Sequence, residues 1–371
     1  MNKLRKLFTT GLRATVGIVA LVFLLNACHG GKSQATPTEG DTLALHHAKY
    51  LTMIEYTEYT EVQIHSPWNK GKLLQTIKVQ TSPTPSRALF FTTTHSNLIE
   101  ELGCIEAIAG ICETEYIANP RLLQAITEGK IKSMGSAMIP DRERIVNLNP
   151  DIILLSPYEN ASTYGNLESL GIPIVQCADY MESTALGRAE WIRFYGRLFG
   201  KGREADSLFA EIEVQYNKLK ILTDSLSESK RPSVLFDTRN GSAWYVPGGR
   251  STMAQLVADA GGHYIFSDNT KSGSVPLAFE SVLSRGENAD IWFIRYNNSQ
   301  AQITRTDLGK IYQPYTLFKA YIQDNVYGCN TAELVFYEET PFHPERLLSD
   351  FIYILHPELL PNDTLRYFHK L

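Results

Sequence analysis

Cysteine is scarce: five in 371 residues, at spacings that match no zinc or redox motif. No apolar run reaches the ~20 residues that a membrane-spanning helix needs. Positive charge is not in surplus either, with 35 Lys and Arg against 40 Asp and Glu and a net charge of −5. Phosphate backbones are held by clustered Lys and Arg, so nucleic acid is excluded as a partner. Gly-x-Ser-x-Gly, Walker, Gly-x-Gly-x-x-Gly and His-Glu-x-x-His patterns are all missing, so no common catalytic motif is present. What is there is ordinary globular material, 43% hydrophobic with 11% aromatics, enough for a sizeable core. The length suggests two domains or one large two-lobed unit.

The compartment is written in the first 28 residues. Lys3, Arg5, Lys6 and Arg13 precede an apolar run over 16–25, and no acid occurs before Glu39. That run suits the core of a signal peptide, and it ends in Leu25-Asn26-Ala27-Cys28, which resembles a bacterial lipobox. Residues 1–27 are therefore expected to be removed and Cys28 lipidated, with the membrane met only through that anchor. Cleavage removes four positive charges, leaving 31 basic and 40 acidic residues, net −9. The Gly/Ser/Thr/Pro-rich start of 28–49 predicts a flexible tether. Cys104, Cys112, Cys177 and Cys329 remain, and either buried thiols or one disulfide would satisfy the sequence.

Residues 51–65 are β-branched and aromatic, and with 73–79 they predict a β-hairpin preamble. From 88 onward short apolar strands alternate with helices, which implies parallel pairing and an α/β lobe over 50–181. Residues 184–227 contain no proline and keep a helical apolar period, predicting one long connecting helix, or two abutting ones, within 182–229. A second α/β series fills 230–371. The expected fold is thus two α/β sandwich lobes joined by a backbone helix, with the site between them, beyond the strand C-termini.

Several segments resemble the helical-backbone solute-binding proteins of ABC importers, in the branch that captures iron chelates, haem and cobalamin. Leu98-Ile99-Glu100-Glu101-Leu102-Gly103 leads into Ala107-Ile108-Ala109-Gly110-Ile111 as in that family. Glu143-Arg144-Ile145-Val146-Asn147-Leu148-Asn149-Pro150-Asp151 matches its Glu-x-Ile-x-x-Leu-x-Pro-Asp segment, and Leu170-Gly171-Ile172-Pro173 follows. Val246-Pro247-Gly248-Gly249-Arg250, Phe279-Glu280-Ser281-Val282-Leu283, the 318–327 segment and His356-Pro357-Glu358 continue the order. The resemblance spans about 85–358. It implies a monomeric lipoprotein that binds a small chelate, carries no cofactor of its own and delivers cargo to a permease with its ATPase. Glu143 and Glu280, which open equivalent helices in the two lobes, are implied to dock on permease arginines.

Cleft candidates lie just past strand ends: Thr94, His95, Glu113, Tyr116, Tyr158, Asp179 and Tyr180 in the first lobe. In the second lobe they are Arg239, Trp244, Tyr245, Arg250, Arg295 and Tyr296. Aromatic walls with a few arginines suit a large chelate bearing carboxylates. The glycines before Arg250 serve either as anion-binding amides or as a tight helix entry. His95 is the sharpest metal-ligand candidate, but a naked cation needs several convergent donors, and no such set is visible. An iron chelate, siderophore or haem, therefore leads, followed by cobalamin, a bare metal ion, and last a tetrapyrrole metal chelatase.

Overall fold

The β-rich stretch 51–65 does not run as one strand: it folds back on itself. In the computed structural model, which describes residues 40–159, 164 and 166–371, the preamble is an antiparallel sheet of four strands. These are β1 (Asp41–Thr42), β2 (Leu51–Glu55), β3 (Tyr59–His65) and β4 (Leu73–Gln80) in that spatial order. Met53, Val62 and Ile64 are fully buried on its inner face, so the preamble shares the main core. The signal segment, Cys28 and the chain before residue 40 lie outside the described residues.

The end of the expected tether is tied down. The amides of His46, His47 and Ala48 donate to the buried Glu190 carboxylate at 2.8–3.0 Å, and those of Lys49 and Tyr50 to Glu182 at 2.9 Å. Two carboxylates taken out of water are satisfied here by backbone N–H groups. Residues 46–49 are therefore an ordered strap, not free linker.

The first lobe has a fully parallel sheet of five strands in the order β7-β6-β5-β8-β9. They are β5 (Ala88–Phe90), β6 (Ile108–Ile111), β7 (Lys132–Ser133), β8 (Ile152–Leu155) and β9 (Ile174–Gln176). Every residue of β5, β6 and β8 is buried, as a sheet covered on both faces requires. The first helix, Thr93–Glu101, starts earlier than its apolar pattern predicts, because Thr92 caps it by accepting the His95 amide.

The proline-free segment is three helices: Ala185–Ala189, Ile192–Leu198 and the 23-residue Gly202–Asp224. Gly200, at φ +72°, makes the break between the last two. Arg193 and Arg197 both reach Asp206 across this turn, at 2.8–3.0 Å, so the middle helix packs back on the long one. The long helix carries the connection. At its middle Glu213 holds His47 at 2.6 Å, and from there to its end Tyr216 and Thr223 donate to Asp259 of the second lobe.

The second lobe has β10 (Ser233–Phe236), β11 (Arg239–Asn240), β12 (Ala243–Pro247), β13 (His263–Tyr264), β14 (Ser274–Leu277), β15 (Ile291–Tyr296), β16 (Val326–Asn330) and β17 (His369–Lys370). Its main sheet runs β13-β10-β15-β16-β17, parallel except at β17, and β11-β12-β14 form a small antiparallel sheet beside it. The core is aromatic. Trp244 and Trp292 stack at 5.7 Å, and their indole N–H groups donate to the carbonyls of Phe236 and Asp237. All four described cysteines are free thiols, and burial pushes those of Cys112 and Cys329 up to about 12.

Candidate functional site

In a doubly wound sheet the ligand site lies outside the strand C-termini, where the winding reverses. A cleft of about 560 Å³ occupies that position here. From the first lobe, Phe91, Thr92 and Thr93 follow β5, Glu113 follows β6, Met138 lies beyond β7, and Tyr158 follows β8. From the second lobe come Arg295 and Tyr296 at the end of β15, Asn297 after it, Thr331 after β16, and Tyr337. Both lobes thus face the same volume, which lies within the ~300–1,000 Å³ usual for small-molecule sites.

Its rim is apolar and aromatic, with Tyr116, Met138, Tyr158 and Tyr337 between 42% and 58% exposed. Among its described lining residues the one cation, Arg295, is fixed. Nε of Arg295 donates to Oδ1 of Asp237 at 2.9 Å and an Nη donates to Oδ2, while the guanidinium lies over the Tyr337 ring. Burial opposes the charge on Arg295, but the Asp237 carboxylate outweighs it and raises the guanidinium pKa further. Burial likewise keeps the Tyr337 hydroxyl protonated. Glu113 sits in left-handed backbone at φ 56°, and its Oε1 accepts from Ser136 Oγ at 2.9 Å and the Ala137 amide at 2.7 Å. The Thr94 hydroxyl donates across the lobes to the Tyr337 carbonyl at 2.8 Å.

Of the residues expected at the cleft, Glu113, Tyr116, Tyr158, Arg295 and Tyr296 line it, and Thr94 supports its wall. The others go elsewhere. His95 is buried, and its Nε2 meets Asp179 Oδ1 at 2.9 Å; Asp179 also accepts from Arg188 and Tyr195. Burial would raise the Asp179 carboxyl, yet His95 and Arg188 outweigh it and hold it at about 2. This is an internal charge network beneath the first helix. His95 faces inward because the Thr92 cap starts the helix at Thr93, which puts position 95 on the core side.

Tyr180 is turned onto the Pro157 carbonyl and stands behind Tyr158. Trp244 is core. Arg239 lies 4.4 Å over the Tyr312 ring and donates to the Gly241 carbonyl, outside the cleft. Tyr245 and Arg250 are exposed but border no part of it. The glycines before Arg250 are a tight entry and not an anion cradle. A Cβ on Gly248 would lie 2.2 Å from the Lys271 carbonyl oxygen, and the Gly248 and Arg250 amides are spent on Gly273 and Lys271.

Sequence reasoning missed Phe91, Thr92, Thr93, Ala137, Met138, Asn297, Thr331 and Tyr337. Thr331 was within reach of the strand-end rule applied to β16. Met138 follows a two-residue strand with no pattern of its own, and Tyr337 comes from a short helix, Phe336–Glu339. Glu143 and Glu280 are both exposed, each the second residue of the helix before the strand beside its lobe's first strand. Among the described residues no group of three or more His, Cys, Asp and Glu side chains converges as a metal site.

Comparisons with known proteins agree on the family. An uncharacterized lipoprotein of Methanocaldococcus jannaschii is 27% identical over 316 residues, covering 82% of this chain and 72% of its own length. A cobalamin-binding protein of Halobacterium salinarum is 24% identical over 250 residues, covering 67% of this chain and 64% of its own. The apo haem-binding protein RhuT of Roseiflexus superposes with a TM-score of 0.58 at 18% identity, covering 74% of this chain and 99% of its own. Likeness at that identity speaks for the fold. With residues 98–331 matched by the periplasmic binding protein family model, the chain belongs to that family of solute-binding proteins, which are not enzymes.

Proposed function

We propose that this protein captures a metal chelate between its two lobes at an extracytoplasmic membrane face, anchored through Cys28, and passes it to an ABC permease. An iron chelate, siderophore or haem, is the leading cargo. The observation that carries this is the cleft wall: tyrosine and methionine faces from both lobes around one fixed guanidinium, Arg295. Such a wall stacks on a large ligand that brings its own metal ligands, and it offers a naked cation only Glu113 as a charged donor.

Cobalamin is the second reading, and one observation favours it. Arg239 and Arg250 stand outside the cleft, so aromatic faces outweigh cations, as a neutral corrinoid would require. The Halobacterium relative bears the name of a cobalamin-binding protein. Titrating the purified protein with haem, ferric chelates, cobalamin and Zn²⁺, followed by absorbance, separates these outcomes. One-to-one binding of haem or a ferric chelate is expected. Binding of cobalamin alone selects the second reading. Tight zinc binding with no chelate response overturns the ligand class, and turnover overturns the transport role.

A further inference from the structure

Behind the cleft lies a second chamber of about 230 Å³, and Arg295 and Tyr337 form a wall common to both. Its other walls include Arg188 on the helix Ala185–Ala189, the start of the helix Thr252–Asp259, the segment at Ser272 and Gly273, and apolar Pro247, Pro341 and Leu347. Thr340 closes it.

The chemistry of this chamber is one-sided. Among the described residues two guanidiniums line it and no carboxylate does. Each guanidinium is steadied from behind, Arg188 by Asp179 at 3.0 Å and Arg295 by Asp237 at 2.9 Å, and the two are 22% and 20% exposed. A guanidinium has five N–H donors. The carboxylate bonds use Nε of Arg188, and Nε and one Nη of Arg295, which leaves Nη donors on both arginines. The amides of Thr252 and Met253 open an eight-residue helix and have no intrahelical acceptor, whereas that of Ala254 is taken by Ser251 Oγ. Pre-oriented arginines with hydroxyls and no competing acid suit a planar or tetrahedral oxyanion.

We propose that this chamber is an oxyanion subsite in which Arg188 and Arg295, with the hydroxyl of Ser272, hold a phosphate or carboxylate group. That group is either a free ion or the anionic arm of the ligand in the cleft; the second source rests on the function proposed above. Tyr337 is the partition between the two compartments, and a ligand spanning both passes its arm beside that ring.

The test uses inorganic phosphate as probe, with calorimetry on the purified protein and two variants. Arg188→Gln removes one fork but also strips the buried Asp179 of a partner, so it is paired with Gly273→Asp. A Cβ on Gly273 meets no atom within 4 Å and its backbone is not in the left-handed region, so the backbone accepts a side chain there and the carboxylate adds negative charge to the chamber wall. Saturable phosphate binding, weakened at least about tenfold by Gly273→Asp at unchanged melting temperature, supports the free-ion source. If phosphate does not bind, but Gly273→Asp weakens a chelate that the protein does bind by a similar factor, the ligand's own arm is the occupant. Phosphate binding that Gly273→Asp leaves intact overturns the subsite, as does an unchanged affinity for both probes. Phosphate binding without any chelate binding keeps the subsite and overturns the transport reading instead.

Discussion

His343 Nε2 lies 2.9 Å from Glu101 Oε2, so a buried histidine at the entry of the last long helix, Pro344–Leu355, clasps the first helix of the opposite lobe. Its Nδ1 meets Glu345 Oε1 at 3.0 Å, and Arg346 reaches the same oxygen at 3.4 Å. Glu338 adds to the junction by accepting the Ala118 amide at 2.9 Å, and Asn97 donates to the Glu338 carbonyl. The lobes are thus stitched together by polar bonds around the buried His343 and Glu338, where a lost partner leaves a buried polar group unsatisfied.

This clasp makes stability depend on pH. Burial disfavours the His343 cation, but Glu101 and Glu345 outweigh it and raise its pKa from 6.5 to about 9. Its contribution is therefore full below pH ~6.5 and is lost as pH rises through about 9. His343→Gln should cost about 1–3 kcal/mol at pH 6.5, and the gap from the parent protein should close by pH 10. Chemical unfolding at the two pH values checks this; a gap independent of pH would contradict it.

Core and cleft aromatics should separate cleanly. Trp244→Ala should cost about 3–5 kcal/mol of stability while leaving the affinity of the folded protein for its chelate unchanged. Tyr337→Ala should do the reverse, weakening the chelate about tenfold with little change in melting temperature. Equal losses of affinity in both variants would return Trp244 to the cleft.

Charge reversal at Glu143 and Glu280 together should abolish uptake in cells and leave chelate affinity within a few-fold. Both side chains are exposed and neither borders the cleft. A purified double variant that no longer binds its ligand would show that these residues serve the cleft and not the permease.

Cys28→Ser should move the protein from the membrane fraction to the soluble one, because the anchor proposed above is a lipid on Cys28 and no helix among the described residues is long and apolar enough to cross a bilayer. Unchanged partitioning would rule out lipidation at that position.

Alternating short strands and helices, the proline-free segment and ordered motifs were enough to predict two α/β lobes with a helical bridge, because apolar period and turn chemistry are local properties. The expected signal peptide is legible for the same reason. Tertiary structure decided which strand-end residues face the cleft. Trp244 and Tyr245 are neighbours on one strand, yet alternation buries the first and exposes the second, and only the packed sheet says which. His95 turned inward because a cap one turn earlier set the helix phase. Between one long helix and two abutting ones, Gly200 decided for a break, since one left-handed residue outweighs a long apolar period when a partner helix is there to pack against. The pairing of Arg188 with Arg295 around one chamber joins residues more than 100 positions apart, and no local pattern carries such a distance.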